Sequence, residues 1–239
     1  MTTALEFFGL SKRYGTIEAV SSLSMRIGTG TTFGLVGANG AGKTTLIKCL
    51  LDFCAIDGGR INIFGVPSSR TEARSRLAFL PERFVPPYYL TARDFLHLMA
   101  RMYGRDFDLQ ESVNMLATLD LEPDVLARPV RSLSKGMTQK IGLASCLLSA
   151  RELLVLDEPG SGLDPKARAL FKAAVRSAHA AGRTIFLTSH SLADVDEMCD
   201  QISVMHRGVL RYSGNPAQMK QQYDAASLEQ AFLNCIGEN

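Results

Sequence analysis

The sequence predicts an α/β fold organised around a phosphate-binding loop, with a helical segment inserted between its strands. Three observations carry this expectation. Gly37-Ala38-Asn39-Gly40-Ala41-Gly42-Lys43-Thr44-Thr45 fits the P-loop pattern G-x-x-x-x-G-K-[ST]. It stands between an apolar run, Thr32–Val36, and a helical one, Leu46–Leu51, the strand–loop–helix context the motif requires. Further short apolar runs at Leu77–Leu80, Leu153–Leu156 and Thr184–Ser189 read as buried strands, whereas residues 83–150 carry helical periodicity with no strand pattern.

The chemistry of the loop explains its residues. Gly37, Gly40 and Gly42 permit backbone angles that a Cβ forbids. Amides of Gly37 through Thr45 can then surround a triphosphate, aided by the positive end of the helix opening near Lys43. The Lys43 ammonium reaches the β- and γ-phosphates, and the Thr44 hydroxyl ligates Mg²⁺.

Before the loop, Leu5–Leu10 and Ala19–Ile27 read as two short strands joined through Gly15-Thr16. Tyr14 lies on that connection. A tyrosine there can lay its ring on adenine, although a surface-turn residue is the plainer local reading. After the loop, Asp57-Gly58-Gly59 reads as a turn, Arg60–Gly65 as a strand and Arg70–Arg76 as a short helix. Thr91 with Asp94 three residues on forms a capping-box variant. Phe95, Leu98, Met99 and Met102 are expected on one buried face, and Val113, Leu116 and Leu119 on another. Ser134 and Gly136 stand at the start of a helix continued by Ile141, Leu143, Ala144 and Leu147. They form either a cap or a second phosphate cradle.

Leu153–Leu156 delivers Asp157-Glu158 at its carboxyl end, where open α/β sheets bind ligands. Asp157 is placed to hold Mg²⁺ as the Walker B acid, and Glu158 to accept a proton from an attacking water. Asp164-Pro165 opens a helix with proline at the favoured first position. Its expected buried face is Leu170, Phe171, Ala174, Val175 and Ala178. His190 ends the Thr184–Ser189 strand on the same sheet edge as Asp157, which makes it a candidate γ-phosphate contact. Ser191 and Asp194 read as caps of the next helix. His206-Arg207-Gly208 reads as a hairpin turn, and Pro216–Tyr223 and Ser227–Ile236 as closing helices.

Composition limits the alternatives. A chain of 239 residues with 46% hydrophobic residues supports a substantial core, and a net charge of +2 does not announce a nucleic-acid partner. Its longest apolar runs fall far short of the roughly 20 residues that span a bilayer. Met1–Glu6 has neither a basic start nor an apolar stretch, so no signal peptide is expected. Five scattered cysteines without a CxxC read as reduced core-type thiols of a cytosolic protein.

Taken in this order, the P-loop, Leu133-Ser134-Lys135-Gly136-Met137, Asp157-Glu158-Pro159, Ser161-Gly162-Leu163-Asp164 and Thr188-Ser189-His190 resemble the ATP-binding cassette family, the ATPase subunits of ABC transporters. The resemblance covers essentially the whole chain. It implies a P-loop NTPase (RecA-like) core with an N-terminal antiparallel β subdomain and an inserted α-helical subdomain at about 83–150, in a single domain over 1–239. It implies ATP and Mg²⁺ as cofactors, Tyr14 as the adenine platform, and His190 as a γ-phosphate contact. Ser134 and Gly136 would contact ATP in trans across a head-to-tail dimer, with Asp164 at its seam.

The signature in this family usually reads Leu-Ser-Gly-Gly-Gln; here Lys135 and Met137 depart from it. Glu82 stands where the family usually offers a glutamine to Mg²⁺ and the attacking water. Both departures, and the ending Ser227-Leu228-Glu229-Gln230-Ala231-Phe232, look like the branch serving ABC-2-type exporters. The implied partners are an integral-membrane permease and a second cassette, as a homodimer, on the cytoplasmic face of the membrane. The apolar loop Phe84-Val85-Pro86-Pro87-Tyr88-Tyr89 is a candidate permease contact. A soluble ATP-gated clamp on nucleic acid or ribosomes is the alternative reading, and a P-loop kinase or GTPase would leave the signature and His190 without a role.

Overall fold

The computed structural model describes residues 2–237; Met1, Glu238 and Asn239, the extreme ends of the expected domain, lie outside the described residues. Two sheets form. The first takes β1 (Thr3–Tyr14), β2 (Ile17–Gly28), then β4 (Gly58–Ile63) and β5 (Val66–Pro67), all antiparallel in the order β2-β1-β4-β5. Between β2 and β4 the chain passes into the second sheet through β3 (Thr32–Val36) and then α1 (Lys43–Leu50). After α2 (Thr71–Arg74) comes β6 (Leu77–Leu80). A helical stretch follows: α3 (Ala92–Met102), α4 (Leu109–Thr118), two short 3-10 turns (Pro123–Ala127 and Val130–Ser132) and α5 (Lys135–Leu148). The chain then runs through β7 (Leu153–Leu156), α6 (Pro165–Ala180), β8 (Thr184–Ser189) and α7 (Leu192–Met198). The hairpin β9 (Gln201–His206) and β10 (Val209–Gly214) leads to α8 (Pro216–Gln222) and α9 (Leu228–Ile236).

The second sheet has the order β10-β9-β3-β8-β7-β6, with parallel pairing from β9 through β6. It is the middle layer, and its period-two alternation divides the core. Phe33, Leu35, Leu77, Leu153, Val155 and Phe186 face the first sheet and α1. Val36, Ala78, Leu80, Leu154, Leu156, Ile185 and Leu187 face the helices on the other side. Strands buried on both faces read as unbroken apolar runs, which explains why they were so visible in the sequence. Phe186 is fully buried, with ring centroids 6.4 Å from Phe7 and 6.0 Å from Phe33, and so ties the two sheets together.

Several elements differ from expectation. β1 and β2 are 12 residues each, longer than predicted, because polar Ser11, Lys12 and Arg13 still pair with β2 and β4 across register shifts. Gly58 and Gly59 belong to β4 and make no turn. Gly59 holds φ +80°, and a Cβ there would stand 2.3 Å from the Phe8 carbonyl oxygen, so the close strand approach requires glycine. The turn is Phe64-Gly65, both at positive φ, as tight hairpins prefer.

The Thr91–Asp94 capping box forms, but α3 is rotated relative to the expected stripe. Ala92, Phe95 and Leu96 are buried and Met99 is half-buried, whereas Leu98 and Met102 face outward. The spacing 92, 95, 96, 99 is the stripe that meets α5. In α6, Phe171, Val175 and Ala178 are buried, with Leu170 and Ala174 half-buried. Ser191 makes no side-chain cap on α7. Its neighbour Asp194 is buried and paired instead with Lys172 (3.7 Å) and Arg168 (3.8 Å) of α6.

Phe186→Ala empties the junction of both sheets. It is expected to lower unfolding free energy by about 3–5 kcal/mol, read by urea denaturation against the parent chain.

Candidate active site

The P-loop joins β3 to α1, and Gly42 at φ +108° caps the helix with no side chain. A Cβ on Gly42 would meet the Ala19 carbonyl oxygen at 2.4 Å, and one on Gly37 would meet the Met205 carbonyl oxygen at 2.4 Å. Both glycines are therefore demanded by packing against β2 and β9. Leu46 is the first amide of α1 to reach a helical acceptor, Gly42 O at 2.9 Å, so the amides of Lys43, Thr44 and Thr45 have no partner within the helix. No acidic residue stands in that first turn. An uncapped helix start with only small residues before it is an anion site in form.

The loop borders a cavity of about 720 Å³. Ala38, Asn39, Gly40, Ala41, Gly42, Lys43, Thr44 and Thr45 line it, and Glu82, Glu158 and His190 line its other side. Lys43 is buried, and its Nζ donates to Gly37 O at 2.6 Å while lying 3.5 Å from Glu158 Oε1. His190 Nδ1 is 2.6 Å from Glu158 Oε2, and the His190 amide donates to the same oxygen at 3.2 Å. Because a carboxylate only accepts, Nδ1 carries the proton of that contact.

Glu158 sits in the left-handed region at φ +47°, a conformation that costs a non-glycine residue about 1–3 kcal/mol and concentrates at functional sites. Its amide donates to Thr188 Oγ1 at 2.9 Å, and that hydroxyl donates to Asp157 Oδ1 at 2.6 Å. One fully buried threonine on β8 thus fixes both acids that leave β7. Burial pushes the Asp157 carboxyl above its ordinary range; the Glu82 and Glu158 charges push the same way, and the Thr188 hydroxyl and Lys43 oppose them. A cation beside Asp157 would relieve that cost. The oxygens at hand, a hydroxyl on Thr44 and carboxylates on Asp157 and Glu82, suit Mg²⁺, which takes one or two carboxylates and completes its shell with water and phosphate. No cluster of three or more His, Cys, Asp or Glu among the described residues forms a ready-made cage.

Some expected site residues stand apart. Gly37 does not line the cavity and serves it through its carbonyl on Lys43. Asp157 lies beneath the wall, 4% exposed. Tyr14 is also outside the wall, 47% exposed; its hydroxyl donates to Cys54 Sγ at 3.7 Å. Ser134 and Gly136 are absent from the cavity. Ser134 caps α5 by accepting from the Met137 amide at 3.2 Å, and space around Gly136 is open. Asp164 caps α6 through the Ala167 amide, 2.8 Å. Conversely, Ile17, Glu18, Ala19, Ser161, Arg207 and Gly208 line the cavity, and sequence reasoning missed them. The hairpin turn at Arg207-Gly208 was legible, but its bonding to the P-loop (Gly208 N to Ala41 O, 2.9 Å) and to β2 (Ser21 N to Gly208 O, 2.9 Å) was not.

A family model described as "ABC transporter" matches residues 20–161. A Nod factor export ATP-binding protein I of Rhizobium etli is 38% identical over 221 residues, covering 90% of this chain and 69% of that protein. The chain belongs to the ABC transporter family. An uncharacterized ABC transporter ATP-binding protein of Synechocystis is 37% identical over 228 residues, covering 90% of this chain. The chain spans 64% of that relative's length. A solved structure described as the ATP-binding subunit of an ABC transporter matches with a TM-score of 0.90 and 28% identity, over 98% of this chain and 100% of that one. The fold is therefore that of an ABC ATP-binding subunit, a P-loop NTPase core with its antiparallel β sheet and helical segment. ABC ATP-binding domains hydrolyse ATP, and they work with membrane permease subunits. No helix among the described residues is long and apolar enough to cross a membrane.

Thr188→Val removes the acceptor of the Glu158 amide and the donor to Asp157. The stranded N–H is expected to cost about 1–3 kcal/mol of stability. ATP turnover is expected to fall roughly tenfold, equivalent to about 1.4 kcal/mol on the barrier, with nucleotide affinity nearly retained. Urea denaturation, phosphate release and nucleotide titration check the three parts.

Proposed function

We propose that this chain is the ATP-hydrolysing subunit of an ABC exporter, dimerising on ATP to drive a substrate through a separate ABC-2-type permease. The observation that carries the reading is the meeting of Lys43, Glu158 and His190 over the P-loop in one cavity. The family's activity gives that cavity its substrate, and the export named for the Rhizobium etli relative supports the direction.

In this reading the chain is one ATP-binding domain, with a helical subdomain at about 83–150 and closing helices at about 216–236. The loop from Gly37 to Thr45 binds the phosphates through its amides and Lys43. Tyr14 carries the adenine, on the side of the P-loop helix where Thr45 lies. Mg²⁺, which neutralises phosphate charge when bound, would be held by Thr44, Asp157 and Glu82. Glu158 accepts the proton of the water that attacks the γ-phosphate, and His190 orients Glu158 and touches that phosphate. Lys43 leaves its contacts with Gly37 and Glu158 for the nucleotide, which frees the base.

Ser134 and Gly136 lie outside the cavity of their own chain, which supports their action in trans on the ATP of a second, identical cassette. Glu82, Lys135 and Met137 suit the ABC-2-type branch, as does the ending Ser227–Phe232. The subunit would sit on the cytoplasmic face of the membrane through its permease. Val85, Tyr88 and Tyr89 are 72%, 67% and 71% exposed, an apolar surface beside Glu82 that suits a permease loop. Pro86 is buried and Phe84 packs on Phe95 with ring centroids at 5.5 Å, so these two anchor the loop and do not offer contact.

Glu158→Gln is expected to retain ATP binding, accumulate an ATP-bound dimer and lose about 10²–10⁴-fold in turnover, as seen by size-exclusion chromatography with ATP and by phosphate release. Parental turnover in this variant would remove Glu158 from the role of base. Lys43→Ala is expected to weaken nucleotide binding itself in titration calorimetry. Co-purification from solubilised membranes with ATP should recover a multi-span protein, and Tyr88→Ala with Tyr89→Ala should lose it while basal ATPase persists. Ribosomes or nucleic-acid proteins in its place would overturn the transporter reading.

A further inference from the structure

We propose that Cys49 and Cys54 form a reversible oxidation site, closing to a disulfide that weakens nucleotide binding through Tyr14. The effect on binding rests on the assignment of Tyr14 to adenine made above; formation of the bond does not.

The two sulfurs lie 3.5 Å apart, and all five cysteines are free thiols. Cys49 is buried on α1, the helix that begins at the P-loop, whereas Cys54 is partly exposed on the loop that follows. Turns hold that loop close to the helix end: Asp52 N donates to Cys49 O at 3.1 Å and Phe53 N to Lys48 O at 2.8 Å. A disulfide bond is about 2.05 Å long, so the Cys54 side must close by about 1.5 Å.

The same loop carries the end of β1 that presents Tyr14. Asp57 N donates to Ser11 O at 2.9 Å, and Asp57 Oδ2 accepts from the Arg13 amide at 2.6 Å. Lys12 Nζ is 3.5 Å from Asp57 and lies 5.3 Å from the Tyr14 ring centroid. The Tyr14 hydroxyl itself donates to Cys54 Sγ. Drawing Cys54 toward Cys49 therefore disturbs a contact of the Tyr14 hydroxyl, which Thr45 also holds, and pulls on the strand end behind it.

The chemistry has a direction. Burial pushes the Cys49 thiol up to about 12, so the partly exposed Cys54 supplies the attacking thiolate. It attacks one sulfur of a low-molecular-weight disulfide and expels one thiolate. That thiolate takes the Cys49 proton, and the Cys49 sulfur attacks Cys54 and expels the second small thiol. Two protein thiols become one disulfide as the small disulfide is reduced to two thiols. Disulfides that form in reducing compartments are usually transient and catalytic or redox-sensing, and small thiols reverse the exchange.

The test treats the full chain with oxidised glutathione, followed by intact mass, peptide mapping and ADP titration calorimetry with and without reductant. The expected result is loss of two hydrogens, mapped to Cys49–Cys54, with Kd for ADP raised on the order of five- to a hundredfold, the loss of one base–aromatic stack. Reductant restores it, and Cys54→Ser shows neither change. A lasting glutathione adduct or an unchanged mass overturns the site. The disulfide with unchanged Kd overturns its coupling to Tyr14. Reduced protein that binds no ADP sinks the nucleotide reading and the coupling together, while mass still judges the disulfide.

Discussion

The site depends on one buried carboxylate. Glu158 is held between the Lys43 ammonium at 3.5 Å and the His190 ring at 2.6 Å, on backbone in the left-handed region. A buried ion pair is a poor source of stability, because desolvation of both charges offsets much of their attraction. Left-handed backbone at a non-glycine residue adds a further cost. A fold that keeps both at the mouth of a cavity is holding groups ready for a ligand that replaces one of the partners. In the proposed function the triphosphate does so for Lys43, whose acceptors among the described residues are its own loop and Glu158.

Such a carboxylate needs a rigid frame, and the middle sheet supplies it. β3, β8 and β7 are adjacent and parallel, so the P-loop, Thr188-Ser189-His190 and Asp157-Glu158 all emerge at one carboxyl edge, where open α/β sheets place ligands. Both faces of these strands are sealed, one by the antiparallel sheet and α1, the other by helices. Thr188 then carries order from β8 to both acids through a pair of short hydrogen bonds. Buried networks with every member satisfied specify one geometry, which the base of the proposed hydrolysis requires.

Around this rigid centre lie parts that can answer to something outside. The exposed Tyr88-Tyr89 surface is anchored by buried Pro86 and half-buried Phe84. The thiol pair Cys49–Cys54 joins the far end of the P-loop helix to the strand end bearing Tyr14. Neither touches Glu158, so in the proposed function each can alter nucleotide binding or coupling while leaving Glu158 and its partners in place.

The sequence by itself determined what short-range physics encodes. The P-loop follows from residue types at fixed spacing. The strands of the middle sheet are legible because burial on both faces demands unbroken apolar runs. The Thr91 and Ser134 helix starts follow from side chains that satisfy amides three residues on, and Asp157, Glu158 and His190 from their place at strand ends. What only the tertiary structure decided depends on strand order, which no local pattern records. The order β10-β9-β3 brings Arg207-Gly208 over the P-loop, and β3-β8-β7 sets Thr188 beneath two acids some thirty residues away in the chain. Packing against α5 chose which apolar residues of α3 face inward, leaving Leu98 and Met102 outside. The approach of Phe8 and Gly9 turned an apparent Gly58-Gly59 turn into a bulged strand. The pairing of Cys49 with Cys54 and Tyr14 arose the same way, since a 40-residue separation between Tyr14 and Cys54 is closed only when β1 docks beside the end of α1.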